Sequence, residues 1–156
     1  MAFEIRDVFL RYKRGDETLV PEIRDNKARR IDELREYHRT VGKSVRKGYT
    51  QTLKDHGVEK PFDFAHCTNE VYKPLLGGTA NQVRKERNLH KKANLRNHMS
   101  TFELASTMMA EALATERIED TNAEGFRECR DETKQASQAI SGAIEADRKN
   151  RQGKFV

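Results

Sequence analysis

The densest reactive chemistry in this 156-residue chain is cationic. Between Lys73 and His98, the cations Lys73, Arg84, Lys85, Arg87, Lys91, Lys92 and Arg96 meet a single acid, Glu86, with His90 and His98 among them. Arg84, Arg87 and Lys91 stand at i, i+3 and i+7, the spacing of one helical face, and Lys85, Lys92 and Arg96 widen it. A stripe of that kind tracks phosphates or meets an acidic protein surface. No aromatic residue lies between Val83 and Arg96 to stack on a base, so single-strand stacking is not supported there. A plain solvated basic face is the competing explanation.

Other constellations are thinner. Gly77-Gly78-Thr79 ahead of a helix start could cradle one phosphate, but no lysine-bearing phosphate loop accompanies it and a simple turn accounts for it. His66-Cys67, His98 and Cys129 lack the CxxC or HxxxH spacing of a zinc site, and buried structural thiols explain the cysteines better. Glu116 with Glu119, or Glu119 with Asp120, sits on a polar helix end, where acid-base work is a poorer account than solvation. No GxSxG, HExxH or dinucleotide motif occurs. An enzyme is not expected, and neither a cofactor nor a metal is implied.

These residues must be positioned by helices. The apolar residues Ile23, Ile31, Leu34, Tyr37, Val41, Val45, Tyr49 and Leu53 recur at threes, fours and one eight, which predicts a long helix begun near Pro21, weakened at Gly42 and Gly48, and stopped by Gly57. Residues 1–20 fit either a helical stripe through Phe3, Ile5, Val8, Phe9 and Tyr12 or a small hairpin turning at Arg14-Gly15-Asp16, and an arm or hairpin is the preferred reading. Residues 58–78 read as a connector closed by the double glycine. Thr79 with Gln82 and Ser100 with Glu103 have capping-box spacing, predicting helices from about Ala80 to Asn88 and from Thr101 to about Ile118. Phe102, Leu104, Ala105, Met108, Met109, Ala112 and Leu113 make the latter the expected core helix. After Asp120 or Thr121, Phe126, Cys129, Thr133, Ala136, Ile140 and Ala143 form a 3-4-3-4-3 seam, an expected self-association surface. Residues 148–156 read as a disordered basic tail.

Composition constrains the rest. Only 31 residues are Leu, Ile, Val or Phe, 35% are charged and the mean hydropathy is −0.93. The core must be thin, and an elongated all-α, multi-helix protein leaning on a partner chain follows, with a homo-oligomer expected. The net charge of +5 divides as +4 over residues 1–60, +4 over 61–100 and −3 over 101–156. No apolar run could cross a membrane and the acidic Glu4 and Asp7 spoil a signal-peptide start, so the cytoplasm is the expected compartment.

Five stretches resemble the carboxy-terminal region of the DNA-damage-inducible protein D (DinD) family and related phage antirepressor-type proteins. They are Arg30-Ile31-Asp32-Glu33-Leu34-Arg35 with His38; Phe64-Ala65 with Asn69-Glu70-Val71-Tyr72; Leu75-Leu76-Gly77-Gly78; Val83-Arg84-Lys85-Glu86-Arg87-Asn88-Leu89; and His98-Met99-Ser100-Thr101-Phe102-Glu103-Leu104-Ala105. The last two are the most specific, a basic short helix after a Gly-Gly turn and then a Met-small-Thr/Glu-Leu-Ala helix. Coverage runs over about residues 30–145, making 21–147 one helical domain of that type. Full-length members carry a further amino-terminal domain, often of the BRO type. Here about 20 unrelated residues precede the first long helix, so nothing of that domain transfers. The resemblance implies a non-enzymatic bacterial or phage regulator acting on a protein partner, a RecA filament in the SOS response or a repressor. The alternative is a nucleic-acid-binding protein using residues 84–96 on DNA.

Overall fold

A computed structural model describes residues 4–154. Phe3, part of the amino-terminal stripe, and residues 155–156 of the expected tail lie outside the described residues. Six α-helices and one 3-10 turn, and no strand, occur among the described residues, as the all-α reading expects. The chain divides into two compact units, one running to Thr40 and the other beginning at Val41.

The first unit holds α1 (Ile5–Lys13) and the amino-terminal part of α2 (Leu19–Asp55). The expected hairpin or arm is therefore a helix. Arg14-Gly15-Asp16 ends one helix and prepares the next. Gly15 takes φ 69°, and the Asp16 carboxylate accepts from the Thr18 N–H at 2.9 Å and its hydroxyl at 2.6 Å. Arg11 reaches Asp16 at 2.6 Å and Glu22 at 2.7 Å, tying the end of α1 to the start of α2. These bonds, the Thr18 hydroxyl first and Arg11 next, hold the Asp16 carboxyl down at about 2.

In the second unit, α2 passes through Gly42 and Gly48 without a break. A Cβ at Gly42 would meet the Met108 sulfur at 3.5 Å, an ordinary van der Waals contact, so the packing there does not itself require glycine. The helix ends as expected at Gly57, whose φ of 85° needs no Cβ, while the Val58 N–H donates to Leu53 O at 2.9 Å.

The connector expected over residues 58–78 is instead mostly α3 (Pro61–Leu76). Pro61 occupies a first-turn position where its missing N–H costs nothing, and Gly77 at φ 85° closes the helix. Both forecast capping boxes form, at α4 (Ala80–Glu86) and α5 (Thr101–Thr121). Asn122 at φ 49° terminates α5, and α6 (Gly125–Gly153) begins with the Glu128 carboxylate accepting from the Glu124 N–H at 2.8 Å, so neither Asp120 nor Thr121 is its cap. The expected disordered tail is helical to Gly153, where Arg151 pairs with Asp147 one turn earlier at 2.8 Å.

Helices α3, α5 and α6 pack on one another. Tyr49, Leu53, Cys67, Ile118, Cys129 and Ala136 belong to one buried cluster, and Val71, Tyr72, Val83, Leu95 and Ala110 to a second. The inner face of α5 differs from the forecast. Phe102 and Met109 are 55% and 58% exposed, while Ser106, Thr107, Ala110, Glu111, Ala114 and Ile118 are buried. Hydroxyls reach this interior because each is satisfied locally, Ser106 donating to Phe102 O and Thr107 to Glu103 O, both at 2.8 Å.

Candidate interaction site

The basic segment is not one helical face. Helix α4 stops at Glu86, Asn88 takes φ 54°, and the chain turns through Lys91 and Lys92 before the 3-10 turn at Leu95–His98. The six cations named from the sequence separate into two groups with different work.

Arg87 and Arg96 are structural. Arg87 forks onto Glu103 with bonds of 2.6 and 3.2 Å and donates to His98 O at 2.9 Å. That bond holds the Glu103 carboxyl below the usual glutamate range, and raises the Arg87 guanidinium in turn. Arg96 pairs with Glu111, whose side chain is fully buried. The same Glu111 oxygen accepts from Arg46 at 3.0 Å, and Arg46 also donates to the Thr68 hydroxyl at 2.6 Å. Two carboxylates two turns apart on α5 thus hold the segment that follows α4. Within this buried triad the second Glu111 oxygen and one Arg96 nitrogen have no hydrogen-bond partner.

The other four face outward. Arg84 is half-buried, its Nε donating to Ala93 O at 2.9 Å and its Nη1 to Asn81 at 3.0 Å. Lys85, Lys91 and Lys92 are exposed. Arg84, Lys85 and Lys91 line an open hollow of about 790 Å³ with Asn81, Asn88 and Leu89. Three cations, two amides and one apolar side chain can pair carboxylates or phosphates and seat an apolar group beside them.

The remaining candidates fall to the interior or to caps. Thr79 and Gln82 satisfy each other across the α4 start, at 2.8 and 3.3 Å, which commits the Thr79 N–H to capping, while the Gly77 N–H donates to Lys73 O at 3.1 Å. Cys67 and Cys129 are free and buried, their thiols pushed up by burial to about 12 and about 11. His66 packs against Phe62 and Phe126 at ring separations of 4.4 and 6.0 Å. Among the described residues, no three His, Cys, Asp or Glu side chains are grouped as metal ligands. Glu116, Glu119 and Asp120 stay on the exposed end of α5.

The expected self-association seam is corrected. Cys129, Thr133 and Ala136 are completely buried within the chain, Phe126 and Ile140 pack onto the two core clusters, and only Ala143 is exposed. The Thr133 hydroxyl meets Tyr49 Oη at 2.8 Å, so this seam is the core itself and is filled by α2 and its neighbours. Sequence reasoning also missed Glu111, Arg46 and Glu103 as the residues that position the basic segment. The one available signal was Glu111, a lone charge deep in an otherwise uncharged stretch of helix.

The helices and the cation-lined hollow define an all-α domain that presents its charge on a short helix and an ordered loop. A family model described as the DinD C-terminal domain matches residues 48–151, about two thirds of the chain, and the chain belongs to that family. Membership sets it in a DNA-damage-inducible, regulatory context. No curated protein matches it. No helix among the described residues is long and apolar enough to cross a membrane.

Proposed function

We propose that this chain is a non-enzymatic cytoplasmic regulator that works by binding another protein, docking an acidic segment of that partner in the hollow between α4 and the Lys91 turn. The observation behind this reading is the division of the cations. Arg87 and Arg96 are spent on Glu103 and Glu111, while Arg84, Lys85 and Lys91 line the hollow with Leu89, and Lys92 is exposed next to Lys91 in the chain. A phosphate-tracking stripe needs its whole row of cations free, and a base reader needs aromatics that this lining lacks. Carboxylates with an apolar neighbour suit three cations around a leucine, and the rim charges act chiefly on the encounter rate. The family context makes a RecA filament or a repressor the partner to test first.

The test uses Lys85→Glu/Lys91→Glu/Lys92→Glu, which spares both structural arginines. Binding to RecA filaments, and separately to plain duplex DNA across a salt series, is followed for the wild type and the variant. An association rate with filaments that falls by an order of magnitude, at unchanged melting temperature, supports the proposal. Tight, steeply salt-dependent binding of the wild type to plain DNA, lost in the variant, would overturn it for the nucleic-acid reading.

A further inference from the structure

With the α6 seam buried, most of the exposed large apolar side chains lie in the first unit, and only Phe62, Phe102 and Met109 of those in the second are comparably exposed. From residue 20 to residue 40, α2 has no buried residue, and Val20, Ile23, Ile31, Leu34 and Tyr37 are 41–64% exposed. The ion pairs along this stretch are weak, Arg35–Asp32 at 4.0 Å and Arg39–Glu36 at 3.9 Å. Helices in proteins draw most of their stability from a packed apolar face. We infer that residues 20–38 of α2 pair with the same segment of a second copy of this chain, running antiparallel.

Charge selects both the occupant and the direction. The 20–40 stretch carries six cations and five acids, so two copies meet without a large excess of either sign. In heptad terms the seam is Val20, Arg24, Lys27, Ile31, Leu34 and His38, with Arg30 and Tyr37 on one flank and Ala28 and Arg35 on the other. A parallel, in-register pair sets Arg24 against Arg24, Lys27 against Lys27, and Arg30 against Arg35. Like charges so placed are repulsive. An antiparallel pair seats Ile31 against Leu34 of the second copy, Lys27 against His38, Arg30 against Tyr37 and Ala28 against Arg35. All three cation-cation meetings disappear, Arg30 gains an aromatic face, and the two apolar centres coincide about a two-fold axis near residues 32 and 33.

Two measurements on the full chain test this. Light scattering across a hundredfold range of concentration is expected to return twice 18.0 kDa for the wild type, and the monomer for Ile31→Glu/Leu34→Glu with the main thermal transition unmoved. Oxidative trapping then reads direction. Chains carrying Lys27→Cys mixed with chains carrying His38→Cys are expected to cross-link faster by an order of magnitude than Lys27→Cys chains with themselves. Native Cys67 and Cys129 are buried and stay out of the reaction. A monomer mass throughout, a double variant that remains a dimer, or preferential trapping of Lys27→Cys with itself would each overturn the inference. It does not depend on what the hollow binds.

Discussion

Replacing Glu111 by alanine probes the buried triad that holds the loop after α4. The Glu111 side chain is fully buried, while those of Arg96 and Arg46 are 17% and 31% exposed. Alanine removes the only negative charge between two guanidinium groups. Arg46 keeps its bond to Thr68 at 2.6 Å and can turn toward solvent, so the larger penalty falls on Arg96. Breaking a buried pair by deleting one partner costs about 3–5 kcal/mol, because the survivor stays desolvated. For a domain of this size that lowers the melting temperature by about 10 °C. The companion variant Glu111→Leu/Arg96→Leu removes carboxylate and guanidinium together and is expected to cost about 1 kcal/mol, less than the single change, since no orphaned charge remains there. Urea unfolding followed by circular dichroism at 222 nm gives both values, with the slope unchanged in each variant. A single variant within about 1 kcal/mol of wild type, or a double variant less stable than the single one, would refute the argument.

Met109→Asp on the exposed face of α5 is expected to change stability by no more than about 0.5 kcal/mol, comparable with Lys149→Asp, because a carboxylate at a 58% exposed position keeps its water; matched thermal melts check it. Cys67 and Cys129, raised by burial to about 12 and about 11, should resist an aromatic disulfide reagent at pH 8 and react only at urea concentrations that unfold the chain; fast labelling of the native protein would contradict their placement. Glu103 has its folded pKa depressed below the ordinary 4.5, by Arg87 first, so its charge stabilises the fold above that value and ceases to do so as pH falls through the folded pKa. Glu103→Gln, which keeps the capping box, is therefore expected to cost up to about 1 kcal/mol at pH 7 and nothing in strong acid, as read from urea midpoints at the two pH values.

What could be read from the sequence was local. The capping boxes at Thr79 and Ser100 depend on residues three apart, and both formed, as did the stop at Gly57. Helix α3 escaped notice because its buried face mixes Cys67, Val71 and Tyr72 with Thr68 and Glu70, and because Pro74, which reads as a breaker, sits in the last turn. Hydropathy hides the orientation of α5 for a related reason. Hydropathy counts Ser106 and Thr107 as surface residues, although their hydroxyls are satisfied by carbonyls four residues back and need no solvent. The cations could be named from the chain, but the division between structural and free ones could not. Arg87 is claimed from 16 residues away by Glu103, and Glu111 is shared with Arg46 from 65 residues away. Only the folded arrangement of helices brings those partners together.

The interior of α5 has a thermal consequence. Exposing apolar surface raises the heat capacity of unfolding and exposing polar surface lowers it. A helix whose hidden side is Ser106, Thr107, Ala110, Glu111 and Ala114, with Ile118 as its one large fully buried hydrocarbon, releases mostly hydroxyls, a carboxylate and small methyl groups. The heat-capacity increment per residue should then fall below the roughly 12–15 cal/mol/K common among globular domains. A smaller increment broadens the stability curve. The second unit would have a modest maximum and lose little of it on warming or cooling, so that its readiness to bind varies weakly with temperature.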